Sequence, residues 1–338
     1  MSAPGLSSVL AQAREAGARP IHERRMLRAW LATRSLRSAL ETRRERAPAR
    51  LLERCAELER ELGALVRGVE EHPSADGSVR LLLELADGQK IESVLLPRGV
   101  QCISTQIGCA VGCVFCETGR YGLVRQLSSA EMLAQVVEGR RRRPVRRVVL
   151  MGMGEPAHNL AAVLEALERL HVDGGIAREN LAFSTVGERA AFDALAASAV
   201  QPQLSLSLHT LDAERRAQLL PRAPRIEPRE LVELADAYAR STGRPWQLQW
   251  VLLAGRTDAF AEFEALAELL RGRMVIVNLI PFNPVDGSGC ERPELVHAQA
   301  LMRLLISRGV RARLRRSGGP DVEAACGQLR ARAAERRR

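Results

Sequence analysis

Two hydrophobic patterns alternate along most of the chain: apolar residues at helical spacing, and short, nearly continuous apolar runs. The short runs predict strands at Arg147–Met151, Leu181–Ser184, Gln203–Ser207, Gln247–Leu253, Met274–Ile280 and Ala312–Arg315. The stretches with helical spacing predict helices at Ser129–Arg140, Asn159–Leu170, Arg189–Ala197, Pro228–Ser241, Ala259–Leu270 and Pro293–Arg308. Strands that alternate with helices indicate parallel pairing and right-handed crossovers. The pattern therefore predicts an α/β fold, a partial β/α barrel of about six β/α units.

The first hundred residues follow a different pattern. From about Ala18 to Gly68 the sequence is rich in Arg and Glu, with apolar side chains at helical spacing, which predicts a helical appendage. The runs Val79–Leu85 and Ile91–Leu96 predict strands, and an Asp-Gly pair between them is typical of a hairpin turn. We therefore divide the chain into a helical accessory domain (1–75), a β-hairpin extension (76–100) and an α/β core (101–330).

Composition and charge permit a nucleic-acid partner without requiring one. Of the 338 residues, 46% are hydrophobic and 27% charged, as in ordinary globular proteins, which excludes a disordered or fibrous class. The formal charge of +10 is carried by arginine, because Lys90 is the only lysine. Guanidinium groups bind phosphate well, but a genome biased towards arginine codons would produce the same composition.

The location of the protein follows from what the sequence lacks. No stretch approaches the roughly 18 consecutive apolar residues of a membrane-spanning helix, and the first residues do not have the basic-then-apolar layout of a signal peptide. We therefore expect a cytoplasmic protein without a membrane partner. The expected assembly is a monomer.

The spacing of the cysteines indicates metal chemistry. Seven cysteines, an odd number, argue against a disulfide framework. Cys109, Cys113 and Cys116 are spaced C-x3-C-x2-C, and three thiolates on one short loop can bind three corners of a cubane [4Fe–4S] cluster and leave its fourth iron open. The alternative is a structural zinc site, which normally takes four ligands in two pairs, and no second pair lies nearby.

Polar or glycine-rich segments follow several of the predicted strands. These segments are Gly152–Pro156, Ser184–Gly187, Ser207–His209 and Pro281–Pro284. In β/α barrels the reacting groups lie on loops beyond the carboxyl ends of the strands. We therefore expect an active site at this edge of the sheet.

Five segments occur in the following order along the chain: Cys102–Cys109, Met151–Pro156, Ser207–His209, Asn278–Asn283 and Ala324–Leu329. Together they resemble the RlmN/Cfr family of radical S-adenosylmethionine (SAM) enzymes, which methylate adenine in ribosomal RNA and, for some members, transfer RNA. The resemblance runs from about Ile91 to Leu329. It implies a radical SAM barrel, with SAM and a [4Fe–4S] cluster held by Cys109, Cys113 and Cys116 as cofactors.

The same resemblance implies a role for each matching residue. Cys326 would carry the methyl group as S-methylcysteine, Cys102 would resolve the enzyme–RNA adduct and end in a transient disulfide with Cys326, and Glu92 would accept a proton. The residues implied to contact SAM are Gly154, Glu155, Ser184, Ser207, Leu208, His209 and Asn283.

The leading hypothesis is an enzyme that methylates carbon 2 of an RNA adenine and consumes two SAM molecules. Pro156 favours this branch of the family over the branch that methylates carbon 8. The alternatives are methylation at carbon 8 or of another RNA, and a non-catalytic iron–sulfur protein that binds RNA. The expected partners are the RNA, which the accessory domain could contact through phosphates, and an electron donor such as flavodoxin or ferredoxin.

Overall fold

The computed structural model describes residues 6–41, 46–315 and 317–329. The accessory region contains helices α1 (Leu6–Glu15), α2 (Pro20–Leu31), α3 (Leu36–Leu40) and α4 (Ala49–Gly63). Four strands follow: β1 (Val66–Pro73), β2 (Val79–Leu85), β3 (Lys90–Leu96) and β4 (Val100–Cys102). The remaining elements are β5 (Gln106–Gly108), α5 (Glu117–Arg120), β6 (Leu123–Gln126), α6 (Ser129–Arg142), β7 (Arg147–Leu150), α7 (Leu160–Val172), β8 (Leu181–Thr185), α8 (Arg189–Ala197), β9 (Gln203–Ser207), α9 (Ala213–Leu219), α10 (Pro228–Thr242), β10 (Trp246–Leu252), α11 (Phe260–Leu270), β11 (Val275–Pro281), α12 (Leu295–Ser307) and β12 (Ala312–Leu314).

Ten of these strands form one mixed sheet in the order β1-β2-β3-β4-β7-β8-β9-β10-β11-β12. Strands β4 and β7 to β12 pair in parallel, and β1 to β4 pair antiparallel. Helices α6, α7, α8, α10, α11 and α12 lie in the connections between successive parallel strands. The predicted partial barrel of six β/α units is therefore confirmed. Strands β5 and β6 form a separate two-stranded ribbon.

The hairpin prediction is confirmed, but the helical prediction is wrong at its carboxyl end. Strand β1 occupies residues expected to end the helical appendage, and it pairs with β2 from Val66↔Leu85 to Pro73↔Val79. The predicted boundary at residue 75 therefore runs between two strands of one sheet. Strand β1 is polar, half-buried and at the sheet edge, so it depends on pairing rather than on its own hydrophobic pattern.

Helix α6 illustrates how local sequence positions the site. Ser128 and Glu131 form a capping box: the Ser128 Oγ accepts from the Glu131 amide at 3.2 Å, and the Glu131 carboxylate accepts from the Ser128 amide at 2.8 Å. One turn later, the buried Gln135 side chain accepts from the Ser104 amide at 2.8 Å and donates to the Ser104 carbonyl at 2.9 Å. The helix thus fixes the segment that leads from β4 to the cysteine loop.

The accessory helices share one hydrophobic core with the barrel. Helix α2 packs against α6, and Arg140 of α6 donates to the carbonyls of Leu31, at 2.9 Å, and Gly174, at 2.7 Å. These bonds join the end of α2 to the barrel at a position where the sequence shows only a run of arginines. None of the helices in the described ranges combines the length and apolar character needed to cross a membrane.

Candidate active site

The cysteine loop covers the carboxyl ends of the parallel strands. Cys109 and Phe115 lie in a small hydrophobic cluster with Val186, Leu253 and Phe282, which follow β8, β10 and β11. The loop leaves the β5–β6 ribbon at Gly108, and no other residue can replace this glycine without a shift of the backbone. Gly108 has a φ of 76°, and a Cβ there would lie 1.9 Å from the Gly122 carbonyl oxygen. The cysteines thus lie on a loop after the hairpin, as the sequence predicts, and the structure adds that this loop covers the strand ends.

The three thiols of this loop lie close enough to influence one another's ionisation. Burial raises the pKa of Cys109 to about 12 and that of Cys113 well above its usual range, and the neighbouring thiols add to the rise for Cys113. Burial also raises the pKa of Cys116. Three thiolates here therefore require nearby positive charge, which iron ions supply. The donor set fits an iron–sulfur cluster.

The described residues contain no group of three His, Cys, Asp or Glu side chains arranged around a single metal ion. A cubane cluster does not require such convergence, because each cysteine binds a different iron atom. A four-ligand zinc site does require it. The absence of such a group among the described residues therefore does not argue against a cluster at Cys109, Cys113 and Cys116.

The loop after β7 presses against the segment that precedes the cysteines. A Cβ on Gly152 would lie 2.7 Å from the Ile103 carbonyl oxygen, and a Cβ on Gly154, whose φ is 104°, would lie 2.6 Å from the Gln106 Cβ. Only glycine fits such a close backbone approach. Gln106 in turn accepts from the Glu155 amide at 2.7 Å. The glycines thus hold Glu155 beside the cysteine loop.

The Glu155 carboxylate is almost completely buried. It accepts from the Ala157 amide at 3.0 Å and the Val186 amide at 2.9 Å. Burial raises its pKa, and the hydrogen bonds from Thr185, Ala157 and Val186 oppose that rise. These hydrogen bonds favour the charged carboxylate, the form that would bind an ammonium group.

Arg216 of α9 is a component of the site that the sequence analysis missed. The side chain is 3% exposed, and its Nη2 donates to the Val186 carbonyl and, at 3.4 Å, to the Ser207 carbonyl. Burial lowers its pKa to about 10, while Cys113 and Glu155 favour its charged form. Its buried Nε has no hydrogen-bond partner among the described residues. An unpaired, buried donor next to the cysteine loop is consistent with a site that binds a further group with hydrogen-bond acceptor atoms.

The residues predicted to contact SAM after β8 and β9 lie at neighbouring strand ends. Ser184 is level with Ser205 in the β8–β9 pairing, and Ser207 ends β9. Leu208 is fully buried, and its amide donates to the Gln249 carbonyl at 3.2 Å. The structure therefore brings Ser184, Ser207 and Leu208 to the same edge as Glu155.

His209 is held as a neutral imidazole. Its Nδ1 accepts from the Val251 amide at 3.1 Å, which places the ring proton on Nε2, and its ring meets Phe115 edge to face with centroids 5.0 Å apart. Burial and, as a smaller cause, the charge of Arg216 together lower the pKa of His209 to about 3. His209 also has a φ of 68°, a backbone conformation that non-glycine residues adopt rarely.

The neutral state of His209 predicts how stability depends on pH. Its pKa is lower in the folded than in the unfolded chain, so the unfolded state binds more protons between the two values and the free energy of unfolding falls as the pH falls below about 6.5. Between about pH 7.5 and about pH 5.5, the free energy of unfolding of the wild type should fall by about 1 kcal/mol more than that of His209→Gln. Urea unfolding at both pH values measures this difference. Equal losses in the two proteins would show that His209 has the same pKa in the folded and unfolded chains.

Asn283, after β11, connects the predicted SAM site to the loop that carries Cys326. Its Nδ2 donates to the Cys326 carbonyl at 3.0 Å and to the Ser317 hydroxyl at 2.8 Å, and its Oδ1 accepts from Arg292 at 3.1 Å. The Gly327 carbonyl accepts from the Glu117 amide at 2.7 Å. One end of the Cys326 loop is therefore fixed to the cysteine loop and the end of β11.

The other end of the Cys326 loop is fixed to the turn between β1 and β2. The Gly319 amide donates to Asp76 Oδ2 at 3.0 Å, and Asp321 accepts from the Ala75 amide at 3.1 Å. Burial would raise the pKa of Asp76, but hydrogen bonds from Gly319, Ser78 and Ser74 outweigh it and lower the pKa to about 2. The turn between two accessory strands thus supports the loop that carries Cys326, although the sequence-based division assigns that loop to the α/β core.

Cys102 and Cys326 line one cavity of about 840 Å³. Cys102 is buried on β4, Cys326 is exposed, and both are free thiols. Burial and, as a smaller cause, the nearby Cys326 together raise the pKa of Cys102 to about 12; Cys326 also raises the pKa of Cys116. The structure therefore brings two thiols that are distant in sequence together beside the cysteine loop.

Glu92 is placed differently from these residues. On the same strand, Val94 and Leu96 line the cavity, whereas Glu92 does not. Its carboxylate is fully buried and forms an ion pair with Arg80, and its carbonyl accepts from the Ser104 hydroxyl at 2.6 Å. Glu92 therefore lies behind the cavity wall rather than among the residues that line it.

The fold and the thiol arrangement agree with one class of enzyme. A sequence profile of the Radical SAM superfamily matches residues 103–270. The solved structure of a radical SAM methyltransferase from Sphaerobacter thermophilus is 35% identical in sequence, covers 97% of this chain and 98% of its own, and gives a TM-score of 0.85. These features define a radical SAM methyltransferase, whose cofactors are a [4Fe–4S] cluster and SAM.

Two relatives with high sequence identity show to which family within this class the chain belongs. A protein from Thiobacillus denitrificans named probable RNA methyltransferase is 56% identical over 95% of this chain and 88% of its own length. Another of that name from Azoarcus sp. (strain BH72) is 55% identical over 94% of this chain and 92% of its own length. The chain belongs to the family of these probable RNA methyltransferases.

Proposed function

We propose that this chain methylates carbon 2 of an adenine in RNA, ribosomal RNA in the first place and transfer RNA as a further substrate, with Cys326 as the methyl carrier. The observation that carries the proposal is the shared cavity of Cys102 and Cys326, which lies beside the cysteine loop. A radical enzyme that does not carry the methyl group on a thiol has no need of these two cysteines in addition to the three of the cysteine loop. The RNA substrate is further supported by the names of the relatives.

In this proposal, Cys109, Cys113 and Cys116 hold the cluster. When bound, the cluster and SAM supply the methyl group and the radical that removes a hydrogen atom from it. The Glu155 carboxylate pairs with the SAM ammonium group, next to the backbone of Gly154. The hydroxyls of Ser184 and Ser207, the Leu208 backbone, the His209 Nε2 proton and the Asn283 amide provide the other polar contacts.

Cys326 and Cys102 perform the chemistry that belongs to the chain itself. Cys326 is exposed in the cavity, so its sulfur can take a methyl group and present it to the adenine. When the carbon radical has added to the base, the adduct still carries the hydrogen of carbon 2 and an unpaired electron, so it must release one proton and one electron, and the electron would pass to the bound cluster. The sulfur of Cys102 then bonds to the sulfur of Cys326 while the bond from Cys326 to the carbon breaks. The electron pair of the broken bond stays with the carbon, which takes up a proton. A cellular thiol then reduces the disulfide.

Proton transfer in this scheme is assigned to Glu92. Its ion pair with Arg80 gives it a fixed position one strand away from Cys102, through the pairing Val94↔Cys102. The proton would have to pass from the cavity to the buried carboxylate. The further partners in the proposal are an RNA contact on the accessory helices and flavodoxin or ferredoxin as electron donor, with the enzyme acting as a monomer.

Product analysis tests the proposed function directly. Anaerobically reconstituted and reduced enzyme, incubated with methyl-labelled SAM and total RNA from a methylation-deficient host, should yield labelled 2-methyladenosine together with 5′-deoxyadenosine. Label in 8-methyladenosine would assign the enzyme to the carbon-8 branch. Formation of 5′-deoxyadenosine without labelled RNA would keep the radical chemistry and reject RNA as the substrate.

A further inference from the structure

The cavity that contains Cys102 and Cys326 is strongly basic. The residues that line it include Arg98, Arg147, Arg313 and Arg315. Among the described residues that line it, Asp76 is the only carboxylate, and that group accepts from the amides of Gly319, at 3.0 Å, and Ser78, at 2.8 Å. The cavity therefore has an excess of positive charge.

The charges of Arg147, Arg313 and Arg315 are not neutralised by the protein. In the ranges that the structure describes, none of the three forms a salt bridge. Arg147 donates to the neutral Gln203 at 2.6 Å, Arg313 donates to the neutral Asn278, and no hydrogen bond from the Arg315 guanidinium to a described residue is present. Holding three cations together destabilises the fold unless an anion binds between them.

The three guanidinium groups also influence one another. Burial lowers the pKa of Arg147, and Arg315 lowers it further; burial lowers the pKa of Arg313, with additional contributions from Arg315 and Arg147. Arg315 also favours the thiolate of Cys102. All three guanidinium groups therefore lie within electrostatic range of one another, and the charge of Arg315 also acts on the Cys102 thiol.

The position of the cluster relative to the thiols follows from the strand register. Cys102 pairs with Val149 of β7, and Val100 pairs with Arg147. Arg147 thus lies two residues along the strand from the level of Cys102, about 6.6 Å. Arg313 is exposed and marks an opening of the cavity to solvent. A nucleotide that enters here can place its base at the thiols while its phosphate remains at the arginines.

We propose that Arg147, Arg313 and Arg315 bind a phosphodiester group of the substrate RNA next to the adenine that is modified. The proposal rests on the proposed function for the identity of the base. Enzymes that modify a base turn it out of its stack into a pocket, and the adjoining backbone must then be held. Arginine suits this role, because its planar donors match phosphate oxygens in pairs.

The test measures RNA binding without methylation. The probe is a fluorescein-labelled RNA hairpin with an unpaired adenine in its loop, and anisotropy gives its Kd between about 0.05 and about 0.3 M salt. Arg315→Gln is the main variant, because this side chain has no hydrogen bond in the described structure to lose. One lost phosphate contact should weaken binding about five- to eightfold at about 0.1 M salt and reduce the salt slope by about one.

Two further variants separate the cavity from a general basic surface. Arg315→Lys keeps the charge and should retain most of the salt slope. Arg303→Gln removes an exposed arginine of α12 that does not line the cavity, and it should change Kd less than twofold. Equal weakening by Arg303→Gln and Arg315→Gln would overturn the proposal, as would an unchanged Kd and slope in Arg315→Gln.

Thermal unfolding completes the test. Removing one of three repelling charges should leave the Tm of Arg315→Gln unchanged or raise it, so a fall in Tm accompanying weaker binding would assign Arg315 a structural role and overturn the proposal. The binding readout is also independent of the product assay. Wild-type protein that binds the hairpin through Arg315 but transfers no label would refute the proposed methylation and retain the phosphate site.

Discussion

Replacing Cys326 with alanine should abolish RNA methylation while the iron and sulfide content of the protein stays at the wild-type level. The expected loss is about a thousandfold or more, because no other group in the scheme can carry the methyl. The fold should tolerate the change. The loop is anchored through the backbone carbonyl of Cys326, which accepts from Asn283 at 3.0 Å, and not through the thiol. Transfer of label from SAM to RNA and quantitative iron analysis measure the two effects.

Cys290→Ala is the matched control for this experiment. Cys290 is a half-buried thiol in the loop after β11, outside the cavity lined by Cys102 and Cys326. Its removal should leave methylation within about twofold of wild type, since substitutions away from buried or reacting groups have small effects. Full methylation by the Cys326 variant would exclude the S-methylcysteine route.

Replacing Cys113 with alanine should remove the cluster itself. Loss of one of three thiolate ligands should lower the iron content by more than about tenfold, because even changes in the groups that support a ligand weaken metal binding by about that amount. SAM cleavage to 5′-deoxyadenosine should fall below detection. Iron and sulfide analysis, absorption spectra and labelled SAM measure these effects on protein reconstituted in parallel with wild type and Cys290→Ala.

The Cys113 and Cys326 variants are expected to fail at different stages. The first should lack both the cluster and SAM cleavage, and the second should keep the cluster and lack only methyl transfer to RNA. Wild-type iron content in Cys113→Ala would contradict the assignment of this residue as a ligand. The Cys113 side chain lies among apolar residues, so loss of its neutral thiol should cost only about 1 kcal/mol of folding stability.

Much of the barrel was predictable because its signals are local. Helix α8 and strand β9 have the predicted bounds, Arg189–Ala197 and Gln203–Ser207. Most other core elements begin or end within two residues of the prediction. The loops that form the site could also be located, because parallel strands place their carboxyl ends on one edge of the sheet.

The missed features depend on contacts between distant parts of the chain. Strand β1 has few apolar residues and forms because β2 offers a free edge, which no local pattern reveals. Arg216 looks like a surface residue of a short helix, yet α9 turns it toward Glu155 and Cys113. The basic wall of the cavity joins Arg147 of β7 with Arg315 after β12, and only the sheet order brings these two together.

The continuous sheet also limits how this enzyme can be rearranged during evolution. Strand β3 is bonded to β4 through the pairing Val94↔Cys102, so a reactive thiol sits on the seam between accessory and barrel strands. Recombination at residue 100 would cut through β4 itself. A crossover ahead of Val66 would instead exchange only the four helices. Lineages can therefore vary the helices as a module, whereas the first three strands must be inherited together with the barrel.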